Sequence, residues 1–554
     1  MTHFLTRSPF NLSPAALAWV TQTHAAMTLP EKVGQVFNLQ SKGNDPGGAA
    51  HIAAFQPGGI TRFNGPDAEF ELQFFDTLRR SLKIPPLMSA DLEGSRMSLP
   101  FGTELPNPLA MAAINDEQSS RAISRIIAEE AQALGINWSF TPVLDINAAF
   151  RSPIVATRSY GSDPEIIRRH ALAQIQTLQA HGIAATIKHF PGEGHDDRDQ
   201  HLVTTTNPLS LEDWERSHGA LYRAAINAGV LAVMSAHIAF PAFIRALDPT
   251  AKQQAFRPAS INRTLNIDLL RNRLGFNGLI VSDATPMAGL TSWCATEDSK
   301  PLVIAGGCDM ILFSDAPAED MARVLAAVQS GAIPADRLDD AVLRVLGLKA
   351  ALNLHTQPEI DLATRRTALG TPQNRQTARA ITARAPTLVK DTQNLLPLNP
   401  AHHRRILIVS GGIVQPAFPV PSPFELPAML AAEGFEVTMH SPETTISREN
   451  FDVMLYLFGE ETLLTRGRIF LDWAKISGNF IAAMERHWHH IPTAMISFGY
   501  PYYLYDAPRV PTYINAYATT EGMQAAVLDC LIGRLPFNSH SPVDPFCGLE
   551  EARY

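Results

Sequence analysis

IAATIKHFPGEGHDDRDQH, residues 183–201, decides the fold by the way its apolar run stops. The run from Ile183 to Ile187 is nearly continuous in apolar residues, as in a strand buried on both faces of a parallel sheet. It finishes in Lys188 and His189, then turns through Pro191, Gly192 and Gly194, where neither helix nor strand continues. A buried strand therefore delivers two ionisable side chains to a loop that carries Glu193, three aspartates and two further histidines.

Seven other short apolar runs share this form: GQVFNL (34–39), GGITRFN (58–64), PPLMSADLEG (85–94), NWSFTPVLDIN (137–147), LAVMSAHIAF (231–240), GLIVSDATP (278–286) and CDMILFSD (308–315). Helical patterns lie between them. In NDEQSSRAISRIIAEEAQALG, Asn115 and Gln118 make a capping box, Ile123, Ile126, Ile127 and Leu134 share a face, and Gly135 supplies the stop. SLEDWERSHGALYRAAINAG reads as a helix opened by Ser210 and Asp213 and closed by Gly229. Strand then helix, eight times over, predicts an α/β fold of the (β/α)₈ TIM-barrel type. An open doubly wound sheet is the alternative, but the glycine-rich dinucleotide fingerprint expected after its first strand is missing. Active sites of such barrels sit at the C-terminal strand ends. Here those ends carry Asp91 and Glu93, Asp145 and Asn147, Lys188 and His189, His237, Asp283 and Asp315.

A chain of 554 residues exceeds one ordinary core, so the barrel (1–350) is expected to be followed by a linker (351–380) and a smaller C-terminal α/β sandwich domain (381–554). The segment after Leu352 is polar and reads as an irregular connection. Beyond it TLVKDTQNLLPL, RRILIVSGG (404–412), FDVMLYLFG (451–459) and PTAMISFGYPYYLYD (492–506) supply strands, with a helix expected over 469–487. His487, His489 and His490 suit that helix's C-terminal end rather than a metal. No phosphate-binding glycine fingerprint appears, which argues against a nucleotide. The net charge of −9 without a long basic run argues against nucleic acid. Cys294, Cys308, Cys530 and Cys547 form no Cys-x-x-Cys pair, and no apolar stretch reaches membrane-spanning length. A soluble cytoplasmic protein without cofactor or membrane partner is expected; oligomeric state is not readable.

The loop of 188–201 has three readings. As a metal site, His189, His195 and His201 match no usual ligand spacing, so no metal is expected. As a solvated turn, it accounts for Asp196, Asp197 and Arg198. As an acid/base device, it offers Asp199 and His201: at i, i+2 in an extended segment both side chains point one way, so the carboxylate can fix the imidazole tautomer and free the other nitrogen for proton transfer. Such a device needs a nucleophile across the pocket. Asp283 fits, because it ends a barrel strand and has Ala284 rather than a cation beside it.

These residues also carry a resemblance. Lys188-His189-Phe190-Pro191-Gly192, Gly194 and Asp199-x-His201 resemble the signature of the β-N-acetylglucosaminidases of glycoside hydrolase family three. In the same order, DLEGSR (91–96), TRSYGSDP (157–164), VMSAHIAFP (233–241) and RPASIN…LLRNRLGFNGLIVSDA (257–284) resemble its later motifs, and ISFGYPYYL (496–504) and PTYINAYATTE (511–521) its C-terminal domain. The resemblance spans nearly the whole chain. It implies a retaining, exo-acting enzyme that removes terminal β-linked N-acetylglucosamine from small chitin- or peptidoglycan-derived sugars. Asp283 would be the nucleophile and His201, paired with Asp199, the acid/base, while Asp91, Arg158, Lys188 and His189 would hold the sugar. Phosphorolysis in place of hydrolysis stays open. A β-glucosidase or β-xylosidase of the same family would take its acid from Glu460 or Glu461, and a sugar-binding protein on a retired barrel is the non-enzyme alternative. Glu193 replaces the histidine of the usual Gly-His-Gly, Ser95 a common glycine, and Ala284 the usual second aspartate after the nucleophile. His237 is read equally as pocket lining and as strand support.

Overall fold

The computed structural model describes residues 2–356 and 361–554. Eight parallel strands close a barrel: β1 (Phe37–Ser41), β2 (Gly59–Arg62), β3 (Leu87–Ala90), β4 (Trp138–Ser139), β5 (Ala184–Phe190), β6 (Ala232–Ser235), β7 (Leu279–Ala284) and β8 (Met310–Leu312). Each pairs with its neighbours in the chain, and β8 closes onto β1 with Phe37 opposite Ile311. All eight predicted runs supply their strand. They are apolar because helices cover the outside while side chains fill the inside. The filling is partly polar. Asn38, Thr61 and Ser89 hydrogen-bond one another at 2.8–2.9 Å, and Trp138 Nε1 donates to Thr186 Oγ1 at 2.6 Å, so these buried groups are satisfied.

A second sheet of six strands follows: β9 (Thr387–Asp391), β10 (Arg405–Ile413), β11 (Glu436–Met439), β12 (Val453–Gly459), β13 (Thr493–Ser497) and β14 (Thr512–Asn515), in the order β9-β14-β13-β12-β10-β11. Only β9 runs antiparallel to its partner. Strand β11 lacks a buried run because it lies at the sheet edge with most of its side chains outward, which removes the apolar signal. Helices Leu426–Ala432, Pro372–Thr382 and Glu521–Leu531 pack together beside this sheet.

Four local expectations change. The N-cap of helix Glu117–Leu134 is Asp116, not Asn115, which instead ends the preceding helix in a left-handed conformation. Asp116 is the better acceptor for the free N–H groups there. The helix opened by Ser210 breaks at Ser217 into Leu211–Arg216 and His218–Asn227. The break carries Trp214 and His218 inward beneath the 191–195 turn, where Trp214 Nε1 donates to Pro191 O at 2.7 Å. The connection after Leu352, expected to be irregular, forms helices Leu362–Thr367 and Pro372–Thr382, capped by Asp361 and Thr371. Over 469–487 only Trp473–Ser477 is α-helical, closed by the left-handed Gly478, and a single 3-10 turn follows. The histidines at 487–490 therefore end no helix.

The two cores meet directly. Leu109, Ala110 and Ala113, on helix Pro108–Ile114, pack in the apolar cluster of the second sheet. Glu461 is buried at the seam, where it accepts from Ser95 Oγ (2.9 Å), Asn107 Nδ2 (3.3 Å) and Thr519 N (3.0 Å). Among the described residues, no helix is long and apolar enough to cross a membrane.

Candidate active site

The β3 and β5 ends and the turn after β4 bring three of the expected residues, Asp91, Lys188 and Arg158, into one ion-paired network with Glu93. Lys188 Nζ lies 2.9 Å from Asp91 and 2.7 Å from Glu93. Glu93 holds Arg158 with two parallel bonds of 2.8 and 2.9 Å. Arg158, on the 3-10 turn Ala156–Arg158, is not a surface arginine: its side chain is only 12% exposed. Burial alone would lower the Lys188 pKa, but the carboxylates of Asp91 and Glu93 outweigh it and hold the ammonium charged. Glu93 would likewise rise on burial, yet Arg158 and Lys188 hold it well below the usual carboxylate range.

Arg158 also fixes His189. Its Nη2 donates to His189 Nε2 at 3.3 Å, so the proton sits on Nδ1, which donates to Asp145 Oδ2 at 2.6 Å. His189, Asp145 and Glu193 place donor atoms close enough to surround a cation. With Nδ1 protonated, however, His189 has no lone pair to offer there.

The expected dyad is formed. Asp199 Oδ1 accepts the backbone N–H of His201 at 2.8 Å and lies 2.7 Å from His201 Nδ1. Its other oxygen accepts the N–H of Thr465, from the second domain, at 2.9 Å. Burial pushes the Asp199 carboxyl up, but the His201 imidazole, His201 N–H and Thr465 N–H together bring it below its ordinary value. With Nδ1 held, His201 Nε2 is the nitrogen left for proton transfer, on a side chain 26% exposed. The loop is bound to the segment after β7: Ala288 N donates to His201 O (3.1 Å) and Gly289 N to Gln200 O (3.2 Å).

Asp283 ends β7 with 8% exposure. Its Oδ1 accepts the Ala284 N–H at 2.7 Å, and it forms no ion pair with a lysine or arginine among the described residues. Burial would raise its pKa, but the imidazoles of His189, His237 and His201 and the Ala284 N–H outweigh that and keep it ionised. His237 proves to be strand support: Nε2 donates to Ala284 O at 2.9 Å and Nδ1 pairs with Ser260 Oγ at 2.8 Å. Of the second-domain glutamates, Glu461 is bound at the seam, and Glu460 accepts the hydroxyl of the buried Tyr503.

Of the solvated turn, Asp197 and Arg198 are exposed, whereas Asp196 is drawn in to accept Thr206 N–H at 3.0 Å. The sequence had no signal for Thr465, which comes from 264 residues further on than His201, nor for Gln200. Glu93 and Asp145 stood visibly at strand ends but without a role.

Glycine is required in the loop. At Gly194 (φ +107°) a Cβ would stand 1.9 Å from Ile146 O, and at Gly192 (φ +114°) it would meet the His218 ring at 2.2 Å. Gly194→Ala is expected to displace the dyad by about an ångström and lower kcat about 100-fold. Steady-state kinetics beside a circular dichroism spectrum check this, and a fully active Gly194→Ala protein contradicts it.

Comparison with known proteins places this geometry. Residues 28–348 match the glycosyl hydrolase family 3 N-terminal domain. The chain is 38% identical to a "Beta-N-acetylglucosaminidase/beta-glucosidase" of Cellulomonas fimi across 98% of both chains. The solved structure of the beta-glucoside phosphorylase BglX bound to 2FGlc superposes with a TM-score of 0.92, at 33% identity and 99% coverage of each chain. A glycoside hydrolase family 3 beta-N-acetylglucosaminidase from Paenibacillus sp. str. FPU-7 superposes with a TM-score of 0.78, at 25% identity, covering 94% of this chain and 99% of that one.

Proposed function

The chain belongs to glycosyl hydrolase family 3, and from that premise we propose that it removes terminal β-linked N-acetylglucosamine from small chitin- or peptidoglycan-derived sugars with retention of configuration. The observation that carries the reading is the Asp199–His201 dyad, bound to the segment that follows Asp283. In the first step an ionised Asp283 oxygen bonds to the anomeric carbon. The bond to the leaving oxygen breaks, and that oxygen takes the proton from His201 Nε2. In the second step the now neutral His201 accepts a proton from the acceptor, whose oxygen displaces Asp283. An imidazole has its unperturbed pKa of about 6.5 near neutral pH, whereas a carboxylic acid must be buried to work there. The usual glycosidase pair is two carboxyl groups, so this arrangement is a departure.

Asp91, Arg158, Lys188 and His189 hold the sugar hydroxyls and the acetamido carbonyl in this reading. Their charges are already balanced within the network, so they orient a neutral sugar instead of attracting an anion. Fragments already inside the cell are suitable substrates, and a cytoplasmic setting accords with four cysteines that form no disulfide.

A second reading is favoured by the close likeness to a beta-glucoside phosphorylase over 99% of the chain. Phosphate would then replace water as acceptor, and a neutral His201 would not repel or over-bind the anion.

One assay separates these. The p-nitrophenyl N-acetylglucosaminide is expected to exceed the glucoside at least about tenfold in kcat/KM, the scale of one net hydrogen bond of about 1 kcal/mol. Equal rates, or a preference for the glucoside, contradict the N-acetylglucosamine reading. Accumulation of sugar 1-phosphate when phosphate is added identifies phosphorolysis; unchanged release of free sugar identifies hydrolysis.

A further inference from the structure

Glu193 is 3% exposed, and the reaction just described gives it no task. Its main chain is tied to the β4 end: its N–H donates to Asp145 Oδ1 at 2.8 Å, and its carbonyl accepts from Ile146 N at 3.3 Å. Its Oε2 accepts a bond of 3.0 Å from Gln200 Nε2, while Oε1 is buried without a hydrogen-bond partner. Gln200, 1% exposed, meets three strand ends at once. Its Nε2 reaches Glu193 beyond β5, its Oε1 accepts His237 N–H (3.1 Å) beyond β6, and its backbone carbonyl accepts Gly289 N–H (3.2 Å) beyond β7. Because the His237 N–H can only donate, the carboxamide has one orientation, with Nε2 toward Glu193. The next residue in the chain is His201.

We propose that Glu193 is a positioning residue for the His201 imidazole, acting through the Gln200 carboxamide. The inference rests on the dyad reading given above. Asp199 holds the imidazole from one side of the chain, and the Glu193–Gln200 pair fixes the backbone it hangs from on the other.

The chemistry requires Glu193 to be uncharged. The charged and polar groups facing it are the carboxylates of Asp145, Asp199 and Asp283, the Arg158 guanidinium, the His189 imidazole (3.8 Å) and the Tyr222 hydroxyl. An ionised carboxylate with one oxygen buried and unpaired would be strongly destabilising. Burial first, and then Asp145, push its pKa well above the ordinary carboxyl value, which Arg158 does not offset. The proton sits on Oε1, since Oε2 is the acceptor for Gln200. The folded protein keeps this proton, while the unfolded chain releases it above its ordinary pKa of 4.5. Stability contributed by the group is therefore full below that pH and declines as pH rises toward the folded pKa.

The test compares Glu193→Gln, Glu193→Ala, Gln200→Ala and the double alanine variant with wild type, on an aryl N-acetylglucosaminide from pH 5 to 9. Glu193→Gln keeps the acceptor oxygen and cannot ionise, so its kcat stays within about threefold of wild type at pH 6, and any loss of activity with rising pH moves to higher pH. Glu193→Ala and Gln200→Ala each lower kcat by about 10- to 100-fold, with KM changed much less, and the double variant is no worse than the single ones. The melting temperature of wild type falls relative to that of Glu193→Gln as pH rises. An unchanged kcat in Glu193→Ala, additive losses in the double variant, or a Glu193→Gln protein as impaired as Glu193→Ala would each overturn the proposal. Should Glu193→Ala not fold, Gln200→Ala and Glu193→Gln decide alone. His201→Ala, run alongside, tells the two failures apart: full activity there removes the dyad reading, whereas an inactive His201→Ala beside an unaffected Glu193→Ala removes only this inference.

Discussion

Asp283→Ala is expected to lower turnover of an aryl glycoside by about 10⁴-fold or more, equivalent to roughly 5.5 kcal/mol of barrier, with the fold intact. The size follows from the kind of loss. In the proposed mechanism Asp283 is the group that bonds to the anomeric carbon, so its removal closes the covalent route. What remains is orientation by the network around Arg158 and proton donation by His201. The fold tolerates the change because Asp283 makes no ion pair with a lysine or arginine, and its hydrogen bond goes to the N–H of its own neighbour. The measurement is kcat beside a thermal melt. A variant that melts like wild type and keeps more than about one-hundredth of its activity excludes Asp283 as nucleophile.

His201→Ala is expected to lose activity in proportion to how much the leaving group needs a proton. With a poorly departing alcohol the loss is about 10²- to 10⁴-fold, the usual contribution of a positioned general acid. With dinitrophenolate, which leaves unprotonated, the first step is nearly unaffected. A uniform loss across leaving groups would mean that the imidazole binds sugar and does not deliver a proton. Asp199→Asn should follow the same pattern in weaker form, since the carboxamide cannot hold the Nδ1 proton as an anion does. Because the Asp199 carboxyl is held below its ordinary 3.8, its support for the dyad is complete above that pH and is lost only as pH falls through the lower folded value. A loss of activity between about pH 5 and 4 would therefore have to come from a group other than Asp199.

How much of this could be read from the chain depends on how far apart the interacting groups lie in it. Local patterns set the barrel. Each run of apolar residues had to be buried on two faces, and eight of them alternating with amphipathic helices leave few topologies. The Asp199–His201 pair was expected in an extended segment, but the structure makes it in a turn: Asp199 O accepts the Leu202 N–H at 2.9 Å and Asp199 Oδ1 the His201 N–H at 2.8 Å, which folds the imidazole back onto the carboxylate. Local signals failed where two patterns competed, as at Ser217, where a continuous helical period is interrupted so that Trp214 and His218 can support the 191–195 turn. They also failed over 469–487, where the helical pattern stops at the left-handed Gly478.

The site itself divides the same way. Sequence by itself determined which strand ends bear Asp91, Lys188, His189 and Asp283, since packing alone gives a buried strand no reason to finish in charge. Only the tertiary structure decided how those charges balance: that Glu93 and Asp91 together offset Arg158 and Lys188, that Asp145 fixes the His189 tautomer, that His237 props β7, and that Thr465 reaches across from the second domain to Asp199. Each is a contact between segments tens to hundreds of residues apart. A hydrogen bond acts over about 3 Å, and such proximity across distant segments is created by the packing of the whole chain, leaving no trace in the residues on either side.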